Sequence, residues 1–206
     1  MSTFSNTDTG DKPADPYTCA NKDTTASMPD KIRALDKFVN ACKFGMMTTR
    51  DQATGKLVSR CMAVTAEESH GVDYLFFTNT ESHKTDELKS DPHVNIAFLD
   101  SSGQWASISG TASIETDRGL VKKYYSPTLR AWMGDLGDGK HDGSENDPRI
   151  GVIRVRMSTA TYAITDRTIL GRMAEVAKGM VTGEQANVNK IREIAEDEVA
   201  AWRSAV

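Results

Sequence analysis

The stretch SRCMAVTAEESHGVDYLFFTNTESHK, residues 59–84, decides how this chain is expected to fold. It reads as two strands joined by a short acidic loop, followed by an acidic helix. This places Arg60 inside a strand that is otherwise apolar, and it places Ser82 and Lys84 at the start of the helix. An anion between these segments would meet a guanidinium, an ammonium, hydroxyl groups and free backbone N–H groups. The stretch therefore predicts a phosphate site.

The strand that carries Arg60 has two different faces. Its small residues Ser59, Cys61 and Ala63 point to one side, and its larger residues point to the other. A face of small side chains lets something bulky lie close against it, either a ligand or a second layer of protein. The candidate walls for a flat ring attached to the phosphate are Met62, Phe76, Phe77 and Trp105.

The composition argues against several classes of protein. The chain has 206 residues, a net charge of −4 and no basic block, so a nucleic-acid partner is not expected. Its three cysteines contain no CxxC pair, which indicates reduced thiols in a cytoplasmic protein rather than a zinc site or a disulfide framework. Neither an apolar leader nor an apolar run of about eighteen residues occurs, so secretion and membrane insertion are not expected.

The pattern of elements divides the chain into three parts. Residues 1–27 are polar and nearly lack large aliphatic side chains, so we expect a flexible arm. Residues 28–168 begin with a helix for which Ser27 or Asp30 is a candidate cap, and continue as six or seven short strands broken by small helices. This pattern predicts a mainly β (α+β) antiparallel barrel with flanking helices. Residues 169–206 are expected to be a helical segment, with one amphipathic helix over 184–204.

The motifs in this part of the chain carry a resemblance to a known family. SRCM at 59–62, LFFTNTESHK at 75–84 and DPHV at 91–94 resemble the flavin-binding signature of the pyridoxamine 5'-phosphate oxidase-like family, whose members share the FMN-binding split β-barrel. The resemblance covers roughly residues 30–165 and points to the general stress protein branch and its blue-light-inducible fungal relatives. It implies a split barrel that binds FMN non-covalently, with each FMN at the interface of a homodimer.

The resemblance also implies roles for individual residues. Arg60 and Lys84 would hold the FMN phosphate, with Ser82 donating a hydrogen bond at the helix start. Phe77 and Thr78 would lie along the ribityl chain or the ring. The full set of cofactor-binding residues that the resemblance implies is Arg60, Cys61, Met62, Phe77, Thr78, Ser82, His83, Lys84, Trp105 and Trp132.

Departures from the oxidases of this family bear on activity. Their C-terminal segment, which contains arginine and tryptophan and builds the substrate site, is replaced here by a predicted helix with Trp202 and Arg203. His83 stands where those oxidases usually have arginine. Oxidation of vitamin B6 is therefore not expected. No residue stands out as a proton-transfer group and the four histidines have no metal-ligand spacing, so neither a catalytic residue nor a metal is predicted.

Three functions remain open at this point. The first is a flavin-dependent oxidoreductase, in which the flavin does the redox chemistry and the protein positions it. The second is a non-catalytic FMN-binding module for stress response or redox sensing. The third is a split barrel that uses the same groove for haem or a deazaflavin, with His83 or His93 as the haem ligand.

Overall fold

A computed structural model describes residues 8–9, 12–13, 15–165 and 167–205 of the chain. Its helices are α1 Pro16–Asn21, α2 Met28–Cys42, α3 His83–Ser90, α4 Arg118–Tyr124, α5 Arg130–Met133, α6 Ile169–Thr182 and α7 Glu196–Ala205, with a 3-10 helix at Pro127–Leu129. Its strands are β1 Asp8–Thr9, β2 Lys12–Pro13, β3 Phe44–Arg50, β4 Leu57–Ala63, β5 Ala66–Glu68, β6 Asp73–Asn79, β7 His93–Leu99, β8 Trp105–Glu115, β9 Ile150–Ile164 and β10 Lys190–Ile194.

Eight of the strands form one antiparallel sheet that curls into a split barrel. The strand order is β4-β3-β7-β8-β9-β6-β5, and β10 pairs with β9 as well. The two outermost strands, β4 and β5, are joined in the chain by Val64 and Thr65 alone, so the sheet curls to bring its edges together. The backbone N–H of Val64 donates to Lys43 and that of Thr65 to Leu75, which ties this corner to both edges. The predicted mainly β antiparallel split barrel with flanking helices is confirmed.

The apolar core fills the inside of the curl. Buried residues alternate along β3 and β7, as expected for strands with one face turned to a core. Helix α2 covers the core with Leu35 and Val39, which are fully buried. This helix begins where Ser27 accepts a hydrogen bond from the backbone N–H of Asp30, so Ser27 is the cap. A second, smaller apolar cluster lies on the other face of β6 and β9, beneath α4 and α5.

Gly110 is required where β8 bends against β9. The pairing of the two strands shifts between Ser109 and Gly110, which marks a β-bulge. A Cβ atom at Gly110 would lie 2.1 Å from the carbonyl oxygen of Arg156, a backbone atom that cannot move aside cheaply. The backbones of β8 and β9 therefore approach closely at this glycine.

The C-terminal part differs from the prediction of one helix over 184–204. Strand β10 interrupts it and pairs antiparallel with the end of β9, Ile191 facing Ala163. The reason lies in the length of β9, because β6 pairs only with its first half and leaves the edge of the second half without a partner. The spacing of Ile191 and Ile194 in the sequence fitted a helix, yet both side chains are buried in a strand.

The predicted arm, residues 1–27, lies partly outside the described residues. Within the described part, Asn21 is buried, and its side-chain carbonyl accepts hydrogen bonds from the backbone N–H groups of Val188 and Asn189. The division into an arm, a barrel domain and a C-terminal segment stays a prediction. Among the described residues, no helix is both long and apolar enough to cross a membrane.

Candidate functional site

Arg60 is placed by the alternation of β4. Val58, Arg60 and Met62 are half-buried, while Ser59, Cys61 and Ala63 are exposed, so the two faces expected from the sequence are present. The guanidinium of Arg60 reaches the neighbouring strand and helix α3. Its Nη1 donates to Thr49 Oγ1 at 2.7 Å and to Glu87 Oε2 at 2.8 Å, and its Nη2 donates to Glu87 Oε1 at 3.2 Å.

Glu87, on helix α3, holds the guanidinium of Arg60 in place. Only 1% of its side chain is exposed, and it also accepts a hydrogen bond of 2.5 Å from the Thr49 hydroxyl. Burial raises the pKa of Glu87, but the hydrogen bonds from Arg60 and Thr49 outweigh burial and lower the pKa on balance. The carboxylate is therefore ionised at neutral pH and holds Arg60 in one orientation. Glu87 lies between the quoted motifs, and nothing in the sequence indicated that Arg60 and Thr49 would meet this residue.

The turn from β6 into α3 forms the other side of the site. Ser82 precedes the helix, and its side chain makes no capping hydrogen bond to the first turn. Its hydroxyl instead donates to the Asn79 carbonyl at 2.7 Å and accepts from Lys84 Nζ at 2.9 Å. The ammonium of Lys84 is thus held over the start of the helix, where the helix dipole favours an anion.

The charges of Arg60 and Lys84 interact. The pKa of Lys84 is lowered by burial first and by the positive charge of Arg60 second, while Glu87 opposes both effects. Two half-buried cations that repel each other make a site that a dianion would stabilise. The residues present therefore fit a phosphate group, and the structure brings together the arginine and the lysine that the sequence placed on different elements.

The other residues predicted to bind the cofactor differ in how deeply they are buried. Phe76 is fully buried in the main core and cannot line a ligand site, so its expected role as a wall was wrong. Phe77 points to the opposite face and packs in the second cluster, and Thr78 is 4% exposed with its hydroxyl bonded to the Asn79 carbonyl. Met62 is half-buried against the main core. The side chains that are exposed are Cys61, His83, Trp105 and Trp132.

The outer surface of β4, β3, β7 and β8 is a continuous open face. Cys61 lies opposite Met46 on this face, and Leu99 lies opposite Trp105. Apolar side chains are prominent on it, since Met46 is 43% exposed and Leu99 is 72% exposed. Small hydroxyl residues fill its centre, where the hydroxyls of Thr48 and Ser59 lie 2.7 Å apart. This face can accept a bulky layer, as the small residues of β4 suggested.

His83 and His93 both lie beside carboxylates. His83 Nε2 is 3.1 Å from Asp51 Oδ2 and 3.6 Å from Glu87 Oε1. His93 Nδ1 is 2.7 Å from Asp91 Oδ1. Each imidazole therefore has a protein partner for one of its ring nitrogens.

Known proteins resemble this chain in sequence and in fold. A protein-family model described as "Pyridoxamine 5'-phosphate oxidase like" matches residues 30–187. Protein bli-3 of Neurospora crassa is 62% identical over 203 residues, which covers 98% of this chain and 97% of that protein.

Solved structures share the fold at low identity. A protein from Clostridium acetobutylicum, described as related to general stress protein 26 of B. subtilis, is 16% identical with a TM-score of 0.57, and the match covers 83% of this chain and 98% of that one. The general stress FMN/FAD binding protein of Xanthomonas citri is 22% identical with a TM-score of 0.54, and the match covers 66% of this chain and 89% of that one.

Proposed function

The chain belongs to the pyridoxamine 5'-phosphate oxidase-like family, and from this membership and its paired cations we propose that it binds FMN, with the phosphate between Arg60 and Lys84. The observation that carries the proposal is that Arg60 is held by Glu87 of α3 and Lys84 is held by Ser82 at the start of the same helix. A phosphomonoester carries close to two negative charges and several acceptor oxygens, which match the two cations. The name of the Xanthomonas citri protein, which includes FMN/FAD binding, supports a flavin.

We propose that the flavin ring is enclosed only when two copies of the chain associate. Cys61 and Trp105 belong to the open outer face, which a single chain leaves exposed to solvent. Trp132 is 86% exposed on α5 and would contact the flavin from the second subunit. Met62, Phe77, Thr78 and His83 complete the proposed set beside the phosphate residues. Exposed apolar side chains on the open face, among them Met46, favour this association.

The proposed activity is that of a flavin-dependent oxidoreductase or a stress-related redox protein in the cytoplasm. Bound FMN would supply the redox chemistry, and the residues of this chain would bind and orient it. Oxidation of pyridoxamine phosphate is not proposed, because the side chains of Trp202 and Arg203 make hydrogen bonds that attach α7 to the rest of the protein. Trp202 Nε1 donates to the His70 carbonyl at 3.2 Å, and Arg203 donates to the Val72 carbonyl at 2.9 Å and to Asp73 at 2.6 Å.

A titration of the flavin-free full chain with FMN and with riboflavin tests the binding site. A charged hydrogen bond contributes about 1.5–3 kcal/mol, so Lys84→Ala and Arg60→Ala are each expected to weaken FMN binding by about 10- to 150-fold. Riboflavin has no phosphate and should bind weakly to all forms. Lys89→Ala is the matched control, because Lys89 lies on the same helix with a side chain that is 65% exposed. Equal affinity for FMN and riboflavin, or unchanged FMN binding by Lys84→Ala, would refute the phosphate site.

The absorption spectrum and the reduction kinetics of the purified protein separate the open functions. A flavin spectrum excludes haem, and a deazaflavin has its own absorption maximum. Reduction of bound FMN by NADH or NADPH, followed by reoxidation at a steady rate, would establish an oxidoreductase. Bound FMN that is neither reduced nor reoxidised by such partners would favour a non-catalytic module.

A further inference from the structure

Three residues with metal-binding side chains converge next to the proposed phosphate site. Asp51 follows β3, His83 begins α3, and Glu87 lies one turn further along that helix. Asp51 Oδ2, His83 Nε2 and Glu87 Oε1 all lie within 4.8 Å of one another. From this convergence we propose that Asp51, His83 and Glu87 bind a first-row divalent cation such as Mn²⁺ or Zn²⁺.

The distances from His83 Nε2 to the two carboxylates match those of ligands around one cation. Bonds of about 2.0–2.2 Å to such a cation place neighbouring ligand atoms about 2.8–3.6 Å apart. The separations of His83 Nε2 from Asp51 Oδ2 and from Glu87 Oε1 are 3.1 and 3.6 Å, both in that range. One imidazole nitrogen and two carboxylate oxygens suit Mn²⁺, Fe²⁺ or Zn²⁺, and the exposed side of His83 leaves room for water as further ligands.

The carboxylates are held in place by their other oxygens. Asp51 Oδ1 accepts from the backbone N–H of Thr54 at 2.7 Å and from its hydroxyl at 2.6 Å, which leaves Oδ2 directed at His83. Glu87 Oε2 is held by Arg60 Nη1 at 2.8 Å and by Thr49 at 2.5 Å. Oε1 accepts the longer contact of 3.2 Å from Arg60 Nη2, so a cation on Oε1 would replace this contact and leave the two shorter ones in place. Outer partners of this kind fix the orientation of metal ligands.

The charge around the site supplies a second argument, which rests on the proposed function. Arg60 and Lys84 balance the carboxylates of Asp51 and Glu87, so a phosphate dianion placed among them would leave two negative charges in excess. A divalent cation on the carboxylates would neutralise the excess beside the phosphate.

Electron paramagnetic resonance of added Mn²⁺ tests the cation site on the full chain after treatment with a chelator and without flavin. Mn²⁺ prefers oxygen ligands and so avoids the exposed thiols of Cys19 and Cys61. We expect one bound Mn²⁺ per chain. Loss of a ligand in His83→Ala or Asp51→Asn should weaken binding by at least about tenfold.

His93→Ala is the matched control, because His93 is an exposed histidine that pairs with a single carboxylate, Asp91. This variant should bind Mn²⁺ as the wild type does. His83 is 68% exposed, so its removal is not expected to disturb folding, which circular dichroism would verify. Absence of saturable Mn²⁺ binding by the wild type, or wild-type affinity in either His83→Ala or Asp51→Asn, would overturn the proposal. FMN affinity measured in the presence of a chelator tests the flavin site separately, so the two failures are distinguishable.

Discussion

The ion pair between Arg60 and Glu87 allows a double-mutant cycle that tests how the site is built. In Glu87→Ala, both Nη groups of Arg60 lose their carboxylate acceptor, and the buried Thr49 hydroxyl loses the acceptor of its proton. Breaking a buried ion pair by removing one partner costs about 3–5 kcal/mol. Because the Arg60 side chain is 28% exposed and regains some solvent contact, we expect a loss in the free energy of unfolding of about 2–4 kcal/mol.

Arg60→Ala should cost a similar amount, since it leaves Glu87 as a buried carboxylate with the hydrogen bond from Thr49 and with His83 Nε2 3.6 Å away. The double variant removes both charges together. Its cost is expected to fall short of the sum of the single costs by at least about 1 kcal/mol, as for residues that share hydrogen bonds. Urea unfolding of the four proteins at pH 7 measures these values.

Asp86→Ala provides the matched control on the same helix. Asp86 pairs with Lys89, and their side chains are 58% and 65% exposed. Loss of such an exposed ion pair should lower the free energy of unfolding by no more than about 0.5 kcal/mol. The reasoning fails if the Glu87 and Arg60 costs add within about 0.5 kcal/mol. It also fails if Glu87→Ala is as stable as Asp86→Ala, because the buried pair would then differ little from an exposed one.

Two further predictions concern the acid stability and the association of the chain. Hydrogen bonds from Arg149 lower the pKa of the buried Asp147 from 3.8 to about 2 against the opposing effect of burial. A lowered folded-state pKa stabilises the fold above the unfolded value, so this contribution is present above pH about 4 and is lost as the pH falls towards 2. Asp147→Asn should therefore be less stable than the wild type at pH 7, and its unfolding free energy should fall less between pH 4 and pH 2. An equal pH slope in urea unfolding would contradict this. Met46→Lys on the open face should convert the proposed homodimer to a monomer in light scattering, whereas Ala200→Lys on α7 should not. An unchanged mass for Met46→Lys would argue against that face as the interface.

Local patterns in the sequence determined the class of fold and the family. Period-two alternation identified the main strands, and the apolar spacing with Ser27 ahead of it identified α2 and its cap. The SRCM and LFFTNTESHK motifs identified the family that the comparisons confirm, and they contained Arg60 and Lys84. These signals are local, because strand alternation, helix capping and family motifs are each written in a few neighbouring residues.

Only the tertiary structure decided which residues meet. Alternation put Phe76 and Phe77 on opposite faces, but the curl of the sheet decided that Phe76 faces the main core. Strand β10 forms because β9 extends beyond the part that pairs with β6, which leaves an edge for β10 to pair with. This depends on the relative lengths of the strands and not on the local spacing of residues around Ile191. Glu87 lies on α3, whereas Thr49 and Asp51 lie at and just after the end of β3. Packing of α3 beside β3 brings these two segments together at Arg60 and His83. Contacts between distant segments depend on how whole elements pack, which no short stretch of sequence encodes.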